Sequence, residues 1–274
     1  MKKIWKELNI VKDIFALTFA SPYTFWEKCS LLKVQLISYL ALKFKVKNKI
    51  ATTSLMGMKV SFYGHFNLLY LIKEIFLLGE YKIQSSDEFP VIIDCGANIG
   101  LSVLYFKKIH PGCKILAFEP NPDVYALLKK NVAQNKLENV EIYNLCLSSS
   151  EGDIEFHLDE NFGSMQGSVL LGRGGTRKIK VKSVQLSSFI EGNIDLVKMD
   201  IEGAELVVID ELIRSGKVNF VQNFLIEYHH NIPGQKTGLG AFISQFENHG
   251  FRLNLRSRFN DQGEFQDVFL NLYQ

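Results

Sequence analysis

The chain has 274 residues, 47% of them apolar and 22% charged, and a net charge of +2 at neutral pH. That length allows one large domain, or one domain with an appendage, around a full core. The charge balance excludes a general pull toward nucleic acid or toward an acidic ligand.

Residues 1–50 read as helical, with apolar positions at three- and four-residue intervals and a break at Ser21–Pro22. The first 49 residues carry ten Lys against Glu7, Asp13 and Glu27, a local +7. One reading of that charge is a solvated helix face. The other is peripheral contact with an anionic membrane surface, or with a phosphate-bearing carrier. The basic start "MKKIW" is not read as a signal peptide, because Glu7, Lys12 and Asp13 interrupt any apolar core. Lys33 and Lys73–Glu74 break the longest apolar stretches, short of the ~18 residues that span a bilayer. The four cysteines, Cys29, Cys95, Cys113 and Cys146, form no C-x-x-C pair. They read as reduced core thiols, and the expected location is cytoplasmic, with the inner membrane face as a further site.

"MGMKVSFYG" alternates like a strand, and "FNLLYLIKEIFLLG" reads as a helix ending at Gly79. A boundary near residue 85 separates a mainly helical N-terminal segment, 1–85, from a domain over 86–274. From Pro90 strands and helices alternate. "VIID" is a strand, Ile99–Ile109 a helix, "KILAFEP" a second strand, and Asn121–Pro122 a helix start. "VEIYNLCLSS" reads as a third strand, then "DIEFHL" and "IKVKSVQL" as two strands of a ribbon. Between those lies a Gly-rich loop, 159–177, too long for a structural hairpin and expected to cover an acceptor. "IDLVKMD", a helix from Ala204, "FVQNFLIEY" and "GAFISQFENHG" continue the alternation, and "FRLNLRSRF" with "FQDVFLNLY" closes it as a hairpin about Asn260–Gly263. The expected fold is α/β: a doubly wound, mostly parallel sheet with an antiparallel C-terminal hairpin strand.

The informative stretch is "VIIDCGANIG". In a doubly wound sheet, ligands bind beyond the carboxyl ends of the strands. The spacing here is D-x-G-x-x-x-G, not the G-x-G-x-x-G that receives a pyrophosphate. Asp94 would repel a phosphate and suits a cation or an amino group. S-adenosyl-L-methionine carries both, a sulfonium and an α-ammonium. Gly96, Ala97, Asn98 and Gly100 would then shape the turn around its methionine half. Glu119, nineteen residues after Gly100 at the next strand end, would accept from the ribose hydroxyls. Adenine would pack by "LCLSSSEG", with Ser148 as its polar contact.

The strings "EIFLLGEY", "VIIDCGANIGLSVLYF", "ILAFEPNP", "LLKKNV" and "IDLVKMDIEGAELVV" resemble the FkbM family of S-adenosylmethionine-dependent methyltransferases. The likeness runs over about residues 70–230, and "DIEGAE" is its most specific piece; the first 60 residues carry none of it. The resemblance implies a class I methyltransferase Rossmann-like fold. It also implies O-methylation, often of sugar hydroxyls in polysaccharides, glycolipids or natural products. The expected partner is a glycan or small-molecule acceptor with a free hydroxyl.

A sugar hydroxyl is a weak nucleophile, so a general base is expected. Asp200, at the end of "IDLVKMD", is the first candidate and Glu202 the second. Glu205 reads as an acid favoured at its helix N-terminus. These acids could hold a divalent cation, but no His or further Asp joins them along the sequence, so no metal ligand is assigned. His229 is the best-placed histidine for a base. Lys198 needs a partner inside its strand, and Glu227 is the expected one. The rival functions are a nucleoside-binding module without catalysis and an RNA methyltransferase. Acidity beyond the N-terminal segment, and the lack of an aromatic–basic pattern, argue against a nucleic-acid partner. An NAD-linked oxidoreductase ranks last on the glycine spacing.

Overall fold

A computed structural model describes residues 15–82, 87–158, 167–170, 175–232, 238–257 and 266–274. The chain divides into two compact units.

The first unit takes Met1–Lys82 with Ile99–Ile109 and Ala126–Glu138. Residues 15–20 are helical, and α1 follows over Phe25–Lys43. Thr24 and Glu27 close a reciprocal capping box at its start, so orphan backbone donors there are satisfied. Helix α1 buries Leu31, Val34, Gln35, Ser38 and Ala41. Its helical reading stops short of residue 50: the helix ends at Lys43, and a hairpin follows of β1 (Ile50–Leu55) and β2 (Met58–Tyr63). The string read as one strand is the second arm of that hairpin. Met56 (φ 52°) and Gly57 (φ 87°) make the two-residue turn, both in the left-handed region that such a turn requires. Helix α2 (His65–Leu71) runs on as a π-helix over Ile72–Leu77 and stops at Gly79, as expected.

Helix α3 (Leu101–Ile109) and most of α4 (Pro122–Gln134) also belong to this unit. Asn131 of α4 is fully buried and exchanges two bonds with Ser61 of β2, while also donating to the Ile99 carbonyl. One amide thus ties the hairpin to the start of α3. Gly100 sits there at φ 84°, and a Cβ would meet Leu128 of α4 at 2.6 Å. The close approach this glycine permits is therefore helix to helix.

The second unit takes Ile83–Asn98, His110–Tyr125 and Asn139–Gln274. Its main sheet has seven strands: β3 (Val91–Cys95), β4 (Lys114–Phe118), β5 (Val140–Tyr143), β10 (Leu196–Met199), β11 (Asn223–His230), β12 (Arg252–Ser257) and β13 (Gln266–Tyr273). Their spatial order is β12-β13-β11-β10-β3-β4-β5. The run β5-β4-β3-β10-β11 is parallel, and β13 enters antiparallel between β11 and β12. This is the class I Rossmann-like sheet with its reversed closing strand. The order reverses between β3 and β10, and ligand sites form at such a point. Helices α5 (Glu205–Arg214) and α6 (Leu239–Glu247) add Val208, Ile209, Leu212, Phe242 and Phe246 to one core with Ile93, Phe118, Val197, Phe224 and Leu270.

The string read as a third strand divides. Its first half is β5; its second half, β6 (Cys146–Leu147), leaves for another sheet. That sheet has the order β6-β9-β7-β8, with β7 (Gly152–Leu158), β8 (Gly167–Ser168) and β9 (Arg177–Val184). Strands β7 and β9 form the expected ribbon over seven residue pairs. Of the Gly-rich loop, residues 159–166 and 171–174 lie outside the described residues, as does the turn expected at Asn260–Gly263.

Candidate active site

Chemistry-bearing side chains of the second unit collect at the carboxyl ends of β3, β4, β10 and β11. After β3 the backbone turns at Gly96, whose φ is 81°. The N–H groups of Gly96 and Ala97 both donate to the Phe118 carbonyl at the end of β4. The Asp200 N–H, just past β10, donates to the Cys95 carbonyl. A Cβ on Gly96 would overlap the Asp200 carbonyl oxygen, so only glycine lets β3 and β10 close here.

Asp94 is fully buried, and its carboxylate lies 3.2 Å from the Lys198 ammonium. Lys198 also donates to the Gly96 carbonyl at 2.6 Å. The expected pairing of Lys198 with Glu227 is therefore corrected. The register sets Lys198 of β10 directly beside Asp94 of β3, and on its other side beside Leu225. Burial works against the ammonium, but the Asp94 carboxylate outweighs it and raises the Lys198 pKa. Asp94 thus meets an internal cation and helps to hold the turn through it.

Glu119 follows β4 and is buried. Its Oε2 accepts from the Asn98 N–H at 3.0 Å and its Oε1 from the Asn121 N–H at 2.8 Å. Burial pushes its pKa up to about 7, against those two bonds, which lower it. Each oxygen keeps a second lone pair for a further donor. Ser148 follows β6 in the second sheet, where its N–H donates to the Val184 carbonyl. Gly100 belongs to the first unit, packed on Leu128.

The other cluster centres on His229. Its Nδ1 lies 2.8 Å from Glu205 Oε1. Its Nε2 faces Glu202 at 3.4 Å, Asp200 at 3.7 Å and Asp267 at 4.0 Å. Glu205 opens α5, as expected of a helix N-terminal acid, and accepts from the Gly203 and Ile201 N–H groups. It also fixes the ring of His229, a role the sequence alone did not suggest. Asp267 was missed as well. It lies opposite His229 on β13, whose antiparallel course brings its first residues to this edge. Burial works against an imidazolium, but Glu205, Glu202 and Asp200 outweigh it and raise the His229 pKa to about 9. The same contact with His229 holds Glu205 below the usual glutamate range, although burial opposes it. At neutral pH His229 therefore keeps its proton among the carboxylates. Glu227 lies within reach of His229 and Asp267.

The turn after β10 is tightly held. Glu202 has a φ of 57° and Gly203 one of 104°. The Ser168 hydroxyl of β8 donates to the Glu202 carbonyl at 2.6 Å, and a Cβ on Gly203 would meet Leu170 and Ile232. The described piece of the Gly-rich loop thus reaches the Asp200–Gly203 turn.

The profile of the methyltransferase FkbM domain matches residues 94–253. The chain belongs to the FkbM methyltransferase family. Among its relatives, methyltransferase sdnD of Sordaria araneosa is 34% identical over 176 residues, covering 51% of this chain and 67% of that one. The 2-O-methyltransferase NoeI of Sinorhizobium fredii is 27% identical over 138 residues, covering 44% of this chain and 56% of its own. The hexuronic acid methyltransferase AglP of Haloferax volcanii is 28% identical over 161 residues, covering 55% and 60%. The chain thus spans between 56% and 67% of the length of these relatives.

As an FkbM methyltransferase it takes S-adenosyl-L-methionine as cofactor. The strand ends suit that group. Gly96 leaves its turn without a side chain, and Glu119 presents lone pairs of the kind that ribose hydroxyls require.

Proposed function

We propose that the chain methylates a hydroxyl group of a sugar, in a polysaccharide, glycolipid or glycosylated natural product. The observation that carries this reading is the set of carboxylates at the end of β10, held around a ring-fixed His229 and directly beside the Gly96 turn. The names of two relatives, a 2-O-methyltransferase and a hexuronic acid methyltransferase, support the same acceptor class.

When bound, the cofactor supplies an electrophilic methyl group. The backbone of Gly96, Ala97 and Asn98 lines its site, Glu119 accepts from the ribose hydroxyls, and Ser148 meets the adenine. Asp94 acts through Lys198 as a positioning residue for the turn. Asp200 is the group that takes the proton of the acceptor hydroxyl. Its side chain is 28% exposed, against 1% for His229, and as a carboxylate it has room for that proton. His229, already protonated, orients Asp200 and Glu202. Ser168 and Leu170 bring the Gly-rich loop to the acceptor side of this turn.

Helix α1 supports peripheral membrane contact as the setting of this activity. Its outward side carries Trp26 (79% exposed), Leu36, Ile37, Leu40 and, just past its end, Phe44 (72% exposed). Exposed Lys33, Lys43, Lys45, Lys47 and Lys49 lie along and after it. Apolar side chains next to lysines suit an anionic bilayer surface. No helix among the described residues is long and apolar enough to cross a membrane.

Calorimetry with S-adenosylhomocysteine, followed by a methyl-release assay over hexose and hexuronic acid glycosides, tests the reading. Binding with turnover on a glycoside is expected. Binding with no turnover on any acceptor would favour the non-catalytic module instead.

A further inference from the structure

We infer that the shared edge of β10, β11 and β13 is a divalent cation site, ligated by His229 Nε2 and the carboxylates of Asp200, Glu202 and Asp267. The inference deepens the proposed O-methylation and rests on it for its chemical purpose, though not for its geometry.

Three carboxylates, from the turn after β10 and from β13, face the ring of His229 on β11. Around Nε2 the carboxylate oxygens stand at 3.4, 3.7 and 4.0 Å. The donor atoms of Asp200, Glu202 and His229 all lie within 4.8 Å of one another, as do those of Glu227, His229 and Asp267. Metal–ligand bonds of about 2.1 Å separate neighbouring ligands by roughly 3.0–3.5 Å. Asp200, Glu202 and His229 form one such set, and Asp267, which groups with Glu227 and the same ring, would move further to complete it.

The ring itself makes this more than a group of acids. His229 is buried, its Nδ1 is engaged by the buried Glu205, and its Nε2 points at the other three carboxylates. A carboxylate behind the ring, with Nε2 turned toward the other carboxylates, is the arrangement that orients metal-bound histidines. Charge points the same way. Glu205, Asp200, Glu202 and Asp267 surround a single imidazole, so even an imidazolium leaves an excess of three negative charges. To ligate, Nε2 gives up its proton; the four carboxylates then leave an excess of four, and a dication halves it. Carboxylates with one imidazole suit Mn²⁺ better than Mg²⁺. There the ion would acidify the acceptor hydroxyl, and the second oxygen of Asp200 would receive the proton.

The test uses the full chain stripped with a chelator, titrated with Mn²⁺ alone and followed by calorimetry and electron paramagnetic resonance. One Mn²⁺ per chain is expected, with nitrogen hyperfine coupling from the imidazole. Asp267→Asn should weaken binding at least tenfold, Glu205→Gln about 10–100-fold, and His229→Gln should abolish the nitrogen coupling. Asp153→Asn, on the exposed edge of β7, should change nothing. Absence of binding, binding without nitrogen coupling, or equal affinity in Asp267→Asn would overturn the site. Asp267→Asn keeps the test sharp even where His229→Gln does not fold. Metal-free protein that still methylates a glycoside would remove the ion's catalytic purpose and leave the function. One bound Mn²⁺ with no turnover on any acceptor would sink the function and leave the site.

Discussion

The carbonyl of Asp200 fills the space where a side chain on Gly96 would stand, so the turn after β3 and the end of β10 fit only without one. Gly96→Ala must also hold a φ of 81°, which costs an L-residue roughly 1–2 kcal/mol before any overlap is counted. The variant should melt at a lower temperature and lose S-adenosylhomocysteine binding. Gly192→Ala, with open space around it, should do neither. Calorimetry and thermal melts on both decide the matter, and normal cofactor binding in Gly96→Ala would count against the site.

Lys198→Met strands the Asp94 carboxylate in the core. Breaking one side of a buried pair costs about 3–5 kcal/mol, and both groups here are buried. Denaturant unfolding should show that loss. The double variant Asp94→Asn, Lys198→Met should recover much of it, because neither charge then remains.

Glu119 gives two opposite pH dependences. Its pKa is about 7 in the folded chain against 4.5 for an ordinary glutamate. Between these values the folded state holds a proton that the unfolded chain has released. Its contribution to stability is therefore complete below about pH 4.5 and is lost as pH rises through 7. Cofactor affinity moves the other way, since the ionised carboxylate is the better acceptor for ribose hydroxyls. The affinity for S-adenosylhomocysteine should rise roughly tenfold from pH 6 to pH 8. Glu119→Gln should weaken binding and flatten that slope; an unchanged slope would remove Glu119 from the ribose.

Asp200→Asn should lower kcat about 10²–10⁴-fold, the range for a lost general base, while S-adenosylhomocysteine binding stays within about twofold. Steady-state rates together with calorimetry separate the two effects. A variant with parental kcat would move the proton to another group.

Replacing Trp26 and Phe44 with glutamate should abolish sedimentation with phosphatidylglycerol vesicles. The parent chain should sediment with them and not with neutral phosphatidylcholine vesicles. Equal partition of parent and variant would show that the α1 face serves something else.

Much of this was legible in one dimension. Asp94, Glu119 and Asp200 each end an apolar run, and strand periodicity alone puts them on one edge. Asn121–Pro122 announced α4, and the Asn121 side chain does accept from the Asp123 N–H. What stayed hidden depended on lateral neighbours. Lys198 finds Asp94 because β3 lies beside β10, which the sequence does not record. Asp267 reaches His229 because β13 runs backward, and a reversed strand brings its first residues, not its last, to the ligand edge. The string over Val140–Ser149 shows one continuous apolar pattern, yet β5 and β6 pair in different sheets. Local pattern fixes that a segment is extended, not which partner it takes.

The position of β13 has a consequence for biogenesis. It is translated after β12 yet wedges between β12 and β11, so β12 has no neighbour in this sheet until β13 emerges. Until then β11 offers the ribosome-bound chain a bare, apolar rim open to other nascent polypeptides. The insertion that seals this rim also delivers Asp267 to His229. A chain cut before Gln266 would therefore leave β11 without a neighbour on that side and His229 without Asp267 opposite it.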